Sequence, residues 1–176
     1  SLAASSREAQ WNVLELSSFQ LETIERFRAE IAVAINVTPD HLDRHHTFES
    51  YAAAKARLFE GQTPQDFAVL NADDAICASY ARRTRARLVW FGCGDATGPG
   101  VFLQNDLLLL DGQPFLNVRE IPLRGRHNIE NTMAAAVAAH LAGARPDAIA
   151  AAVRTFPGVE HRLEFVRTVA GVDYYN

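Results

Sequence analysis

The sequence predicts an α/β domain: a mostly parallel sheet flanked by helices, with a small antiparallel ribbon attached. Three observations carry that expectation. Short, nearly continuous apolar runs alternate with helical patterns up to residue 91, as strands buried on both faces and joined by right-handed crossovers do. Between residues 92 and 118 the pattern changes to glycines, Asp/Asn turns and short alternating runs, which reads as a ribbon. Beyond residue 123 two Ala-rich helical segments follow, separated by Gly143 and Pro146.

Taken in order, WNVLEL at 11–16 reads as a first strand with Glu15 near its end. A turn through Ser17 and Ser18 leads to a helical segment at 21–27, where Leu21, Ile24 and Phe27 share one face. The apolar run from Ile31 is a second strand, and it stops at Pro39, which has no N–H for a ladder and biases Thr38 away from helix. Thr47 reads as the cap of a helix whose partial apolar face holds Phe48, Tyr51, Ala52, Leu58 and Phe59. FAVLN at 67–71 is a third strand, followed by a helix over 73–84 and a fourth strand over 86–91. The ribbon strands fall at 100–104, 107–110 and 114–118, with Asp111-Gly112 as a hairpin turn. A long helix ends at Gly143 and another runs from Pro146 to Thr155. Pro157-Gly158 breaks the pattern, so 1–157 is expected to be one domain, and 158–176 a hinge with the first strand of another. The first residue is not methionine and the last falls inside a strand or turn, so an excised piece of a longer enzyme is expected.

Composition narrows the partners. Apolar content of 48% with 22% charged residues is ordinary globular usage, and the net charge of −4 comes without a basic stripe for nucleic acid. Cys77 and Cys93 lack a histidine at zinc spacing and read as free thiols of a reducing compartment. No run approaches a membrane span and no signal segment opens the chain, so the expectation is a soluble, cytoplasmic protein.

Chemistry concentrates at the ends of the parallel strands, where open α/β sheets place their ligands. Residues 40–46 pack Asp40, His41, Asp43, Arg44, His45 and His46 into one loop after the second strand. Glu15 and His41 both end strands and can converge on a divalent cation, Mg²⁺ rather than zinc given the oxygen-rich surroundings. Alternatively, Glu15 caps the next turn and the loop is only hydrated. Lys55 reads either as a surface lysine lying over alanines or as a reactive amine held near a metal. Asn128 and Asn131, three apart on one helix face, present amides suited to a nucleobase edge, although Asn128 also suits an N-cap. Arg162 at the hinge can clamp a phosphate or pair with Glu160 or Glu164. No phosphate-loop motif G-x-x-x-x-G-K-[ST] occurs, so the main phosphate loop of any bound triphosphate would lie outside these residues.

Five segments in order resemble the Mur ligases, ATP-dependent enzymes of peptidoglycan synthesis. They are VLELSSFQLE (13–22), INVTPDHLDRHHTFESYAAAKARLF (35–59), VLNADD (69–74), LRGRHNIENTMAAA (123–136) and GVEHRLEFV (158–166). The SSFQLE and DHLDRH forms are similar to the D-glutamate-adding branch rather than to its relatives or to folylpolyglutamate synthases. The resemblance implies the central-domain fold of that family without its phosphate loop. It also implies a ligase that phosphorylates the terminal carboxylate of UDP-N-acetylmuramoyl-L-alanine with ATP and passes the acyl phosphate to D-glutamate. On matching positions, Glu15, His41 and a carbamylated Lys55 are implied to hold two Mg²⁺ ions. Asn128 and Asn131 would contact adenine, Arg162 the nucleotide, and Ser17 and Ser18 the substrate. With family segments expected on both sides of the chain, the piece is not expected to be active alone. The full enzyme is expected to be a monomer, and the fragment to expose a sheet edge open to self-association. A free-standing nucleotide-binding module and a non-enzymatic scaffold are the alternatives.

Overall fold

The computed structural model describes residues 10–94, 98–159 and 165–175. A six-stranded sheet in the spatial order β1 to β6 forms its centre, so strands lie side by side in the order the chain makes them. The strands are β1 (Ile31–Ala34), β2 (Phe67–Asn71), β3 (Arg87–Gly92), β4 (Gly100–Gln104), β5 (Leu107–Leu110) and β6 (Gln113–Asn117). β1 to β4 run parallel, and β5 and β6 fold back antiparallel as the expected ribbon. The β3–β4 connection is short for a parallel pair because β4 starts level with Trp90 and runs past the end of β3. Gly100 makes this approach possible, since a Cβ there would lie 1.8 Å from the Trp90 carbonyl oxygen at a φ of +142°. Asn105-Asp106 and Asp111-Gly112 turn the ribbon with both central residues at positive φ, the type I′ geometry that matches strand twist.

Strand alternation splits the core between the two faces. Ala68 and Leu70 point to one side with Ala32, Tyr51, Phe59 and Tyr80, while Val69 points to the other with Val89, Phe91, Met133 and Val137. Helix α3 (Phe48–Glu60) covers the first face together with α4 (Ala75–Ser79), which is shorter than predicted and continues as a 3₁₀ turn, Tyr80–Arg82. Helix α5 (Arg126–Leu141) and α6 (Pro146–Thr155) cover the second. Thr47 caps α3 as expected, its hydroxyl accepting from the Ser50 N–H at 3.1 Å. Pro146 opens α6 at a position whose N–H would be unpaired in any case.

Two expectations fail near the start. Residues 11–16 join no strand, because a strand needs a neighbour's N–H and C=O and among the described residues β1 is paired to β2 alone. Trp11, Val13 and Leu14 are left exposed, Val13 at 95%. The helix expected over 21–27 lies instead at α1 (Ser18–Glu22), set by a reciprocal capping box between Ser17 and Gln20. Past its end, the Arg57 guanidinium donates to the Glu22 and Ile24 carbonyls, satisfying acceptors that the helix no longer uses. A separate hairpin, β7 (Phe165–Val169) with β8 (Val172–Tyr175), follows the predicted break at Pro157-Gly158.

Candidate functional site

The carboxyl ends of β1, β2 and β3 are tied into one edge by side chains that bridge the loops leaving them. Asn71, buried at the end of β2, donates to the Ile35 carbonyl at 2.8 Å. Asp74, cap of α4, accepts from the Val37 N–H at 3.0 Å and from the Cys77 N–H at 2.8 Å. Asp73 accepts from the backbone N–H groups of Cys93 and Gly94 after β3. Arg126, first residue of α5, spans from Asp73 at 3.6 Å to Glu130 at 3.1 Å. A continuous row therefore runs from the β1 loop to the start of α5, along the edge where ligands of parallel sheets bind.

At one end of the row lies the histidine-rich loop. It forms a single turn, α2 (Leu42–His45), bracketed by His41 at φ 50° and His46 at φ 65°. Both are left-handed non-glycine residues, a conformation retained when its surroundings enforce it. The His41 N–H donates to the Asp40 carboxylate at 2.8 Å, and the His41 ring lies 4.9 Å from Phe19 and 6.3 Å from Tyr51. His45 is buried, its Nε2 2.9 Å from the Ser18 hydroxyl and its Nδ1 3.2 Å from Glu22. Arg44 donates to the same Glu22 carboxylate at 2.9 Å, and that bond holds the Glu22 pKa below its usual value.

Lys55 projects from α3 into this neighbourhood. It is half-buried, with Nζ 5.3 Å from the Tyr51 ring centroid and no carboxylate within ion-pair distance among the described residues. Ser17 is exposed and committed to its capping box, whereas Ser18 is turned inward at 3% exposure. Glu15 is exposed. Tyr51 and Phe19 thus bring the surroundings of Ser18, His41 and Lys55 together. No hydrogen bond, ion pair or ring contact joins Glu15 to His41 or Lys55 among the described residues.

At the other end, Asn128 is not the N-cap. Gly125 takes that position at φ 97°, and the Asn128 amide donates to the Arg124 carbonyl at 2.8 Å. Asn131 stands one turn on, exposed, its amide 3.4 Å from the Asn128 oxygen. Arg162 lies outside the described residues. Three further groups meet beside this pair: Asp73, Cys93 and Glu130 place ligand atoms within 4.8 Å of one another. Arg126 already faces both carboxylates, so the cluster works as a clamp between α5 and the sheet. Burial pushes the Cys93 thiol up, with Arg126 opposing, and keeps it protonated near neutral pH. No sequence signal marked this cluster, because its members lie far apart in the chain and only the fold joins them.

A cavity of about 240 Å³ lies elsewhere: Phe67, Arg87 and Gly100 at the amino ends of their strands line it with His140. No helix among the described residues is long and apolar enough to cross a membrane.

Comparison with known proteins agrees with the fold just described. The Mur ligase middle domain family matches residues 1–139. A UDP-N-acetylmuramoylalanine--D-glutamate ligase of Solibacter usitatus is 60% identical over 99% of this chain and 40% of its own length. One from Geobacillus kaustophilus is 44% identical over 99% of this chain and 39% of its own. The chain therefore spans about 40% of the length of the curated relatives it matches. Among solved structures, a UDP-N-acetylmuramoyl-L-alanyl-D-glutamate--2,6-diaminopimelate ligase superposes with a TM-score of 0.70 at 28% identity, over 88% of this chain and 34% of the other. MurF from Acinetobacter baumannii shares the fold, with a TM-score of 0.69 at 21% identity over 81% of this chain and 32% of its own. With its sheet, its ordered segments and this match over most of its length, the chain belongs to the Mur ligase family.

Proposed function

We propose that this chain is the central, nucleotide-handling part of a ligase that adds D-glutamate to UDP-N-acetylmuramoyl-L-alanine in peptidoglycan synthesis. The single observation that carries the reading is the row of bridged strand ends, which places His41 and Lys55 at one end and Asn128 and Asn131 at the other. A chain 60% identical to a D-glutamate ligase supports the choice within the family.

Glu15 and His41 would hold Mg²⁺, with Lys55 joining them as a carbamate. Neutral Lys55 Nζ attacks CO₂, a nitrogen–carbon bond forms, and a proton is lost to water. The lysine thereby becomes an oxygen ligand. When bound, two Mg²⁺ ions neutralise charge between the ATP γ-phosphate and the attacking carboxylate. Asn128 and Asn131 orient the adenine and Arg162 the phosphates, so that the alanine carboxylate lies in line with γ-phosphorus. A carboxylate oxygen bonds to phosphorus and ADP leaves. The amine of D-glutamate then attacks the acyl carbon, gives up a proton and expels phosphate. Ser17, exposed at the head of α1, faces the carboxylate substrate, and Ser18 supports it from beneath.

Residues 1–157 belong to this central domain and 158–176 begin the next. The phosphate loop and the D-glutamate contacts come from outside the chain, so the isolated piece does not turn over substrate. The enzyme works in the cytoplasm as a monomer, while the piece can associate through the open edge of β1. In the complete ligase, His41→Ala and Lys55→Ala should each abolish D-glutamate-dependent ATP turnover. Unchanged turnover in both would favour a scaffold or a non-catalytic nucleotide-binding module.

A further inference from the structure

His45 belongs to neither the cation nor the nucleotide set, yet it is the most completely tethered ring at the site. Its side chain is 2% exposed. Its Nδ1 lies 3.2 Å from the Glu22 carboxylate, which can only accept, and its Nε2 lies 2.9 Å from the Ser18 hydroxyl. Phe19 stacks on the His45 ring with centroids 5.7 Å apart and planes 7° apart, and Tyr51 meets it edge-on at 5.3 Å. The same two aromatics touch the groups at the surface. Phe19 lies against His41, and Tyr51 lies against His41 and beneath Lys55 Nζ.

The geometry points to His45 as a positioning residue. It is a buried hub that locks α1, α2 and α3 together and, through Phe19 and Tyr51, fixes where His41 and Lys55 present their donor atoms. The Ser18–His45–Glu22 order is that of a hydrolytic triad. Ser18 is 3% exposed, however, and cannot reach a substrate carbonyl, so the hydrogen bonds serve alignment. Ring-to-ring contact transmits that alignment because both aromatics are held on two sides. Phe19 is pinned between His41 and His45, and Tyr51 is 6% exposed within the core. A phenyl ring would preserve the stacking but leave the Ser18 hydroxyl and the Glu22 carboxylate without their shared partner. The inference rests on the reading of His41 and Lys55 as cation-site groups.

The test uses the complete ligase with Mn²⁺ as the probe, bound metal being counted by electron paramagnetic resonance alongside steady-state kinetics. His45→Phe should weaken Mn²⁺ binding about tenfold and lower kcat by a similar factor, as loss of an outer partner of metal ligands does. The KM for D-glutamate should stay unchanged. Glu22→Gln, which keeps the size and frees the ring's tautomer, should give the same split to a smaller degree, and it decides the matter if His45→Phe does not fold. A folded His45→Phe or Glu22→Gln with parental Mn²⁺ affinity and kcat would overturn the hub. Parental Mn²⁺ affinity in His41→Ala and Lys55→Ala, measured beside them, would instead remove the cation-site reading on which it rests.

Discussion

Lys55 is the residue whose reading changes most between sequence and structure. A lone lysine on an Ala-rich helix is ordinarily a surface cation. Here it is half-buried, with Nζ facing the Tyr51 ring and no ion-pair partner among the described residues. In the complete ligase the activity lost in Lys55→Ala should be partly restored by millimolar formate or acetate. A folded variant that no short carboxylate rescues would count against the carbamate. Asp66 offers a residue-scale test on stability. Burial would raise its pKa, but the bonds from the Thr63 N–H at 2.7 Å, the Thr63 hydroxyl and Arg28 outweigh that and hold it below the ordinary carboxylate range. A carboxyl with a depressed folded pKa contributes stability above its unfolded value, near 4, and loses it as pH falls through the folded value. Asp66→Asn should therefore lower stability at pH 7 by about 1–3 kcal/mol and flatten the acid limb of a melting-temperature profile. The Arg28–Asp66 pair, like the Arg126 clamp, was invisible in sequence because its members come from distant parts of the chain.

At the scale of elements, most of the fold was legible where local chemistry is decisive. Thr47 capping, Pro146 at a helix start and Asp111-Gly112 in a hairpin each have a mechanism confined to a few neighbouring residues. The failures occurred where the decision is not local. The run at 11–16 has a strand's composition but no paired neighbour, and the apolar spacing of 21–27 lost to a capping box placed upstream of it. Helix α5 shows both behaviours. Its extent followed from composition, while the Gly125 cap and the bond from the Asn128 amide to the Arg124 carbonyl did not. Ala at either asparagine should raise the apparent KM for ATP several-fold more than that for D-glutamate, as steady-state assays of the complete ligase would reveal. The reverse pattern would move the pair away from the adenine.

At the scale of the molecule, two faces of one sheet carry two cores, and the row of bridging side chains crosses the strand ends between them. The buried rings of Phe59 and Phe91 belong one to each core. Among the described strands the outer side of β1 is unpaired, since β1 bonds only to β2. In sedimentation velocity runs, the isolated 176-residue chain should show concentration-dependent dimers and the complete ligase a monomer. A monomeric isolated chain at all concentrations would exclude pairing through that edge.

The match between strand order in space and strand order in the chain has a consequence in time. During synthesis each new strand, from β2 to β6, emerges from the ribosome beside the edge that was completed just before it. No described strand has to wait for a distant partner, so the sheet can lengthen one strand at a time behind the growing polypeptide. The side of β1 facing away from that growth is the side that no later described strand will ever cover. Its cover has to come from a segment outside β1 to β6 or from another chain.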